Sequence, residues 1–266
     1  MTEQSPTAAS LEKPSDAGKG KEGVVAYWLV CLELANKEED AWRKSAEKAV
    51  KRFRDEEQLE NGAVKGRALG TRFNILASNV RILQSAIYNS PPVPDIRERF
   101  KSGNKAAQAA AETLERAVSF TIDAYNLDGI LQLSVKDSLL PGRAVDRVVY
   151  EPQIMGGPGQ ESVAWERVCY KHVQWKDFRR GPGSVWDDVS WIAFRHYPTR
   201  EEAEAKFGKL PENLELGVID GAPDTDDKKD GPEKDVLKRL LVWEIWDKSK
   251  RQIVWIAPAH KLAPLK

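Results

Sequence analysis

The sequence is short of the residues from which active sites and metal centres are usually built. Two cysteines, Cys31 and Cys169, and three histidines, His172, His196 and His260, are spread over 266 residues. Neither cysteine stands in a C-x-x-C pair or beside a histidine at metal-binding spacing. Nothing therefore supports a zinc site, and both thiols are read as small buried apolar groups. The histidines form no H-x-x-x-H pair, and no G-x-S-x-G elbow is present to make one of them a general base. No run of about 18 apolar residues occurs, so no conventional membrane-spanning helix is expected. Net charge is missing too. Forty-one Lys and Arg balance 41 Asp and Glu, so no global field would hold nucleic acid by counterion release or draw the chain to an anionic membrane. A surface past which DNA slides without being gripped stays allowed.

Phosphate and calcium loops are absent in the same sense. A nucleotide-binding loop needs G-x-x-x-x-G-K-[ST] so that backbone amides cradle the phosphates. "GKGKEG" at 18–23 has neither that spacing nor a preceding strand. "DDKKDG" at 226–231 imitates the start of a calcium loop, but Lys228 occupies the third position and Leu237 the twelfth, where oxygen ligands belong. No metal, no cofactor and no catalytic constellation is read. Asp187 and Asp188 are adjacent, and on a strand they would point to opposite faces.

What the sequence does contain is 41% apolar and 31% charged residues, enough for one large domain or two small ones with a buried core. Residues 1–22 are polar and rich in Ser, Pro, Ala and Gly, without the apolar core of a signal peptide, and read as a disordered arm of an intracellular product. From Lys37, Trp42, Ala46, Ala49, Val50 and Phe53 recur at helical spacing until Asn61-Gly62. Leu69, Phe73, Leu76, Val80, Leu83 and Ile87 then step by four and three along a second helix, a narrow seam suited to a neighbouring helix of the same or another subunit. Pro91 and Pro92 force the chain into an extended form. A third helix starts near Gly103-Asn104, and a fourth stops at Pro141-Gly142.

Beyond this point the pattern turns extended. "RAVDRVVYEP", the turn "QIMGGPGQ" and "ESVAWERVCYKHVQW" read as a hairpin, and "DDVSWIAFRHY" reads as a strand. Thr199 with Glu202 forms a capping box for a short helix closed by Gly208. Residues 222–235 are charged and carry Pro and Gly, which marks a loop. "KRLLVWEIWDKSKRQIVWIAP" predicts a hairpin about Asp247-Lys248-Ser249-Lys250, and "AHKLAPLK" follows with no closing element expected. The predicted class is α+β: an arm at 1–22, a helical region at 23–142, and an antiparallel β-rich region with a short capped helix at 143–266.

One cluster, "WKDFRRGPGSVW", mixes aromatic and basic residues. Trp175, Phe178 and Trp186 could stack bases while Arg179 and Arg180 take phosphates, which would make the chain a stand-alone nucleic-acid-binding module. Asp177, Asp187 and Asp188 cancel the positive charge nearby, so packing within or between subunits is the favoured role.

Taken in order, "LASNVRILQSAIYNSPPVPDIRERF" (76–100), "DSLLPGRAVDRVVYEP" (137–152), "VCYKHVQWKDFRRGPGSVWDDVSWIAFRHYPTREEAEAKFG" (168–208) and the final hairpin resemble the portal proteins of tailed bacteriophages, in their short-tailed form. The third piece is the most specific, since V-x-W-x-D-F-R, W-x-D-V-x-W-I-A and a capped helix ending in F-G follow one another. The likeness runs through roughly residues 27–266. It implies a structural subunit, not an enzyme, in a homo-oligomeric ring, usually a dodecamer, at one capsid vertex of the virion. Double-stranded DNA is packaged through such a ring and ejected through it. The implied partners are the terminase large subunit, which carries the ATPase, the major capsid or scaffold protein and the tail adaptor, with host cytoplasm as the place of assembly. The stem, clip and crown of the family are not among these residues, so the expectation is a wing portion. A ring needs a heterologous interface. The Leu69 to Ile87 seam is the candidate for it, and Trp175, Phe178, Arg179, Arg180 and Trp186 are candidates for an interface or a DNA-proximal position.

Overall fold

A computed structural model describes residues 21–54, 73–98, 103–155, 162–211, 214, 216–218, 238–261 and 263–266. Within them the chain is α+β, with helices first and antiparallel sheets after. It divides into two units: residues 1–40 with 177–266, and residues 41–176. Helix α1 (Lys21–Arg54) contributes its first part to one unit and its second part to the other. It begins well ahead of Lys37, inside the stretch expected to be an arm. Its expected end at Asn61-Gly62 lies outside the described residues, as do Leu69, the 222–235 loop and the calcium-loop mimic.

Unit 1 is built on a four-stranded antiparallel sheet in the order β3 (Phe178–Arg180), β4 (Trp191–His196), β7 (Val242–Asp247), β8 (Gln252–Ile256). Between β4 and β7 lie α5 (Arg200–Phe207) and a short pair, β5 (Gly217–Val218) and β6 (Lys238–Arg239). Register aligns Ala193 with Ile245 and Ile245 with Val254, so the small and branched side chains of one face form a continuous row. Val25, Trp28, Leu32 and Ala35 recur at three and four along α1 and pack on that face, with Cys31 beside them. Trp28 meets Trp191 edge to face at 5.8 Å. Burying each large apolar side chain of this kind contributes about 1.5–3 kcal/mol. A second cluster covers the other face, where Ala203 of α5 packs with Leu210, Leu214, Leu240, Val242 and Ala257.

The predicted capping box is present: the Glu202 amide donates to Thr199 Oγ1 at 3.2 Å, and the Thr199 amide donates to the Glu202 carboxylate at 2.8 Å. The β7–β8 turn is shifted by one residue, to Lys248–Arg251. Asp247 ends β7, and its Oδ1 accepts from the amides of Ser249 and Lys250. The last residues, expected to bring no closing element, instead return along β8, where the Leu265 amide donates to the Trp255 carbonyl at 2.7 Å.

Unit 2 holds the rest of α1, then α2 (Ile75–Ile87), α3 (Lys105–Ala124), α4 (Leu127–Leu139) and the hairpin β1 (Val145–Met155) with β2 (Ser162–Val173). Asn74, Asn104 and Asn126 cap the three helices with their side-chain oxygens. Gly142, at φ 81°, lets the chain leave α4, and its amide donates to the Asp137 carbonyl. Helix α4 is the hub, touching α2, α3 and β2. Strand β1 runs on through Gln153–Met155, beyond the point where the sequence predicts the turn. The two core clusters both lie in unit 1; among the described residues of unit 2 the buried apolar side chains are Ala46, Val80, Pro141, Cys169 and Trp175.

Candidate functional site

The aromatic and basic cluster is divided between the two units. Trp175 falls in unit 2 and the other four residues in unit 1. Trp175 is buried in a short 3-10 turn, edge to face with Trp42 at 5.7 Å, and its carbonyl accepts from Arg43. Phe178 is 2% exposed and packs on Phe194. Arg179 is buried as well: its Nε donates to Asn36 Oδ1, its Nη1 donates to the Phe178 carbonyl at 2.8 Å, and its guanidinium lies over Trp243. Arg180 donates to the Gly183 carbonyl at 2.8 Å and approaches Glu39. Trp186 alone of the three aromatic rings is largely exposed, with Lys248 above it. Stacked bases need open rings and phosphates need free cations. Phe178 and Arg179 are folded into the sheet, so neither is open to a base or a phosphate.

The α2 seam is arranged differently from the expected line. Phe73 precedes the helix and is 74% exposed, and Leu76, Leu83 and Ile87 are exposed with it. Val80 alone of the described seam residues is buried. The face turned inward is Ala77, Val80, Gln84 and Tyr88; Gln84 Nε2 donates to the Gln132 carbonyl of α4 at 3.0 Å. The outward arc carries Ile75, Leu76, Ile82, Leu83 and Ile87. A helix apolar on both sides is ordinarily a buried helix.

Two polar groupings lay outside the sequence reading. In unit 2, His172 of β2 stands between two carboxylates. Its Nε2 faces Asp137 Oδ2 at 3.0 Å, and its Nδ1 faces Asp146 Oδ1 at 3.0 Å. Ser134 Oγ donates to Asp146 at 2.6 Å. The residue types are those of a hydrolase triad, but the connectivity is not. The serine hydroxyl is given to a carboxylate and lies 3.4 Å from His172 Nδ1, but each imidazole nitrogen is engaged with an aspartate, so the nitrogen nearest the hydroxyl is already held by Asp146. Burial pushes the Asp137 carboxyl up, and His172 partly offsets this. The arrangement pins the base of the hairpin to α4.

In unit 1, a cleft of about 290 Å³ lies between α5 and the sheet, walled by His196, Pro198, Phe207, Val242 and Trp255. Its polar groups are committed to protein partners. His196 Nε2 faces the buried Glu244 at 2.8 Å, Glu244 also accepts from Trp246 Nε1, and Lys206 Nζ sits 3.5 Å over the Trp255 ring. Burial raises the Cys31 thiol, the unreactive direction for a cysteine. Among the described residues no group of His, Cys, Asp and Glu is placed to hold a metal ion, and no helix is long and apolar enough to cross a membrane. Unit 2 carries an outward apolar surface on α2.

No family model matches the chain, and no curated protein matches it.

Proposed function

We propose that the chain is a structural subunit, or the wing portion of one, of a phage portal ring through which double-stranded DNA is packaged and ejected. The order of motifs from Leu76 to Gly208 suggests the reading. The observation that carries it is the apolar surface of unit 2, where α2 is apolar outward as well as inward and both core clusters belong to the other unit. Among its described residues unit 2 buries few large apolar side chains, and a body of that kind gains stability from neighbours, as a subunit in a ring does. No specific observation favours the stand-alone nucleic-acid-binding module, since Phe178 and Arg179 are buried.

The test is the oligomeric state of the purified protein, by light scattering over a concentration series and by negative-stain imaging. Closed rings with a central hole are expected. A protein that stays monomeric at the highest concentration, with the α2 amides exchanging freely, overturns the reading.

A further inference from the structure

Unit 2 presents a second outward apolar face besides that of α2. Cross-strand register places Val148 opposite Tyr170 and Tyr150 opposite Val168, on one side of the β1–β2 hairpin. All four are exposed, at 58%, 41%, 54% and 51% respectively, and Pro152 extends the same side. Nearer the helices this side meets α4 through the Asp146–His172 pair and Asp137, so only its outer portion is uncovered.

We infer that the outward face of α2 in one copy of this chain packs on the outer hairpin face of a second copy. The inference rests on the ring reading and names the two surfaces such a ring joins. Three features favour this pairing. Residues 75–87 of α2 span about 18 Å at 1.5 Å per residue, and Val148 to Pro152 span about 14 Å at 3.4 Å per residue, so the two faces are of similar length. The exposed parts of Phe73, Ile75, Leu76, Ile82, Leu83 and Ile87 amount to roughly 600 Å², most of the ~800 Å² that one partner gives to a stable interface. A heterologous ring contact also needs two different patches on each subunit, which an α2–hairpin pairing supplies and α2 on α2 or hairpin on hairpin does not.

The test uses the whole chain with p-benzoylphenylalanine in place of Tyr150, with light scattering before irradiation and peptide mapping after it. Oligomers whose adducts fall within residues 75–87 of a neighbouring copy are expected. Oligomers whose adducts fall elsewhere, hairpin to hairpin included, overturn this inference and leave the ring reading standing; a monomer overturns the ring reading itself.

Discussion

Gly181 lies directly beneath the indole of Trp191. Its amide donates to the Trp191 carbonyl at 2.8 Å, and a Cβ built on it would stand 2.7 Å from Trp191 Nε1. The glycine is thus required by a close approach, and it opens the long connection from β3 to β4. Gly181→Ala should destabilise unit 1 by about 2 kcal/mol, the usual cost of overpacking. Gly183→Ala should cost less, because its nearest contacts stand at 3.1 Å. Denaturant unfolding followed by tryptophan fluorescence measures both.

Arg179 and Trp186 should respond in opposite ways to truncation. Arg179→Ala strands the Asn36 side chain and removes a guanidinium packed over Trp243, so about 2–4 kcal/mol is expected to be lost. Trp186→Ala should change stability by less than about 1 kcal/mol, since the ring is 56% exposed. Equal effects in thermal melts would contradict the placement of Arg179 within the sheet.

The Asp137–His172–Asp146 cluster makes stability depend on pH in a defined direction. Burial raises the Asp137 carboxyl above its ordinary value of 3.8, so the folded chain holds this proton more tightly than the unfolded one. Its favourable contribution is complete below the ordinary value and is lost as pH rises through the raised one. Asp137→Asn should flatten the stability profile across that interval. His172→Ala leaves two carboxylates without the imidazole between them and should cost about 2–3 kcal/mol near neutral pH. Unfolding midpoints of the three proteins across mildly acidic pH would show it.

Thr199→Ala removes the cap of a helix only eight residues long. A loss of about 1 kcal/mol is expected, with early exchange of the α5 amides. Thr199→Ser should behave as the parent does, because it keeps the hydroxyl.

Short-range signals carried most of the fold. Thr199, Glu202 and Gly208 act within one helix, and Asn104 caps α3 from the adjacent position, so both ends could be read directly. The start of α1 was hidden because Val24, Val30 and Leu34 put apolar residues on its exposed side, blurring the stripe of Val25, Trp28, Leu32 and Ala35. The inner face of α2 was not legible in the same way, because its apolar arc is wider than one line of residues and packing on α4, decided by tertiary structure, chose Ala77 and Gln84. The His172 cluster draws on Ser134, Asp137 and Asp146, which strand register and the α4–hairpin contact bring together; no local pattern announces that. For the aromatic and basic cluster the neighbouring Asp177, Asp187 and Asp188 pointed to packing, but which residues turn inward was set by the short strand that takes Phe178 and Arg179 inside.

The return of Leu265 and Lys266 along β8 has a consequence for solubility. Both the amide and the carbonyl of Trp255 that face away from β7 are already hydrogen-bonded, to Lys266 and Leu265. A strand left with such groups open is a template on which a foreign strand can add. Loss of the last two residues would therefore turn the rim of this sheet into a sticky edge, and unit 1 would become prone to aggregate before it became prone to unfold.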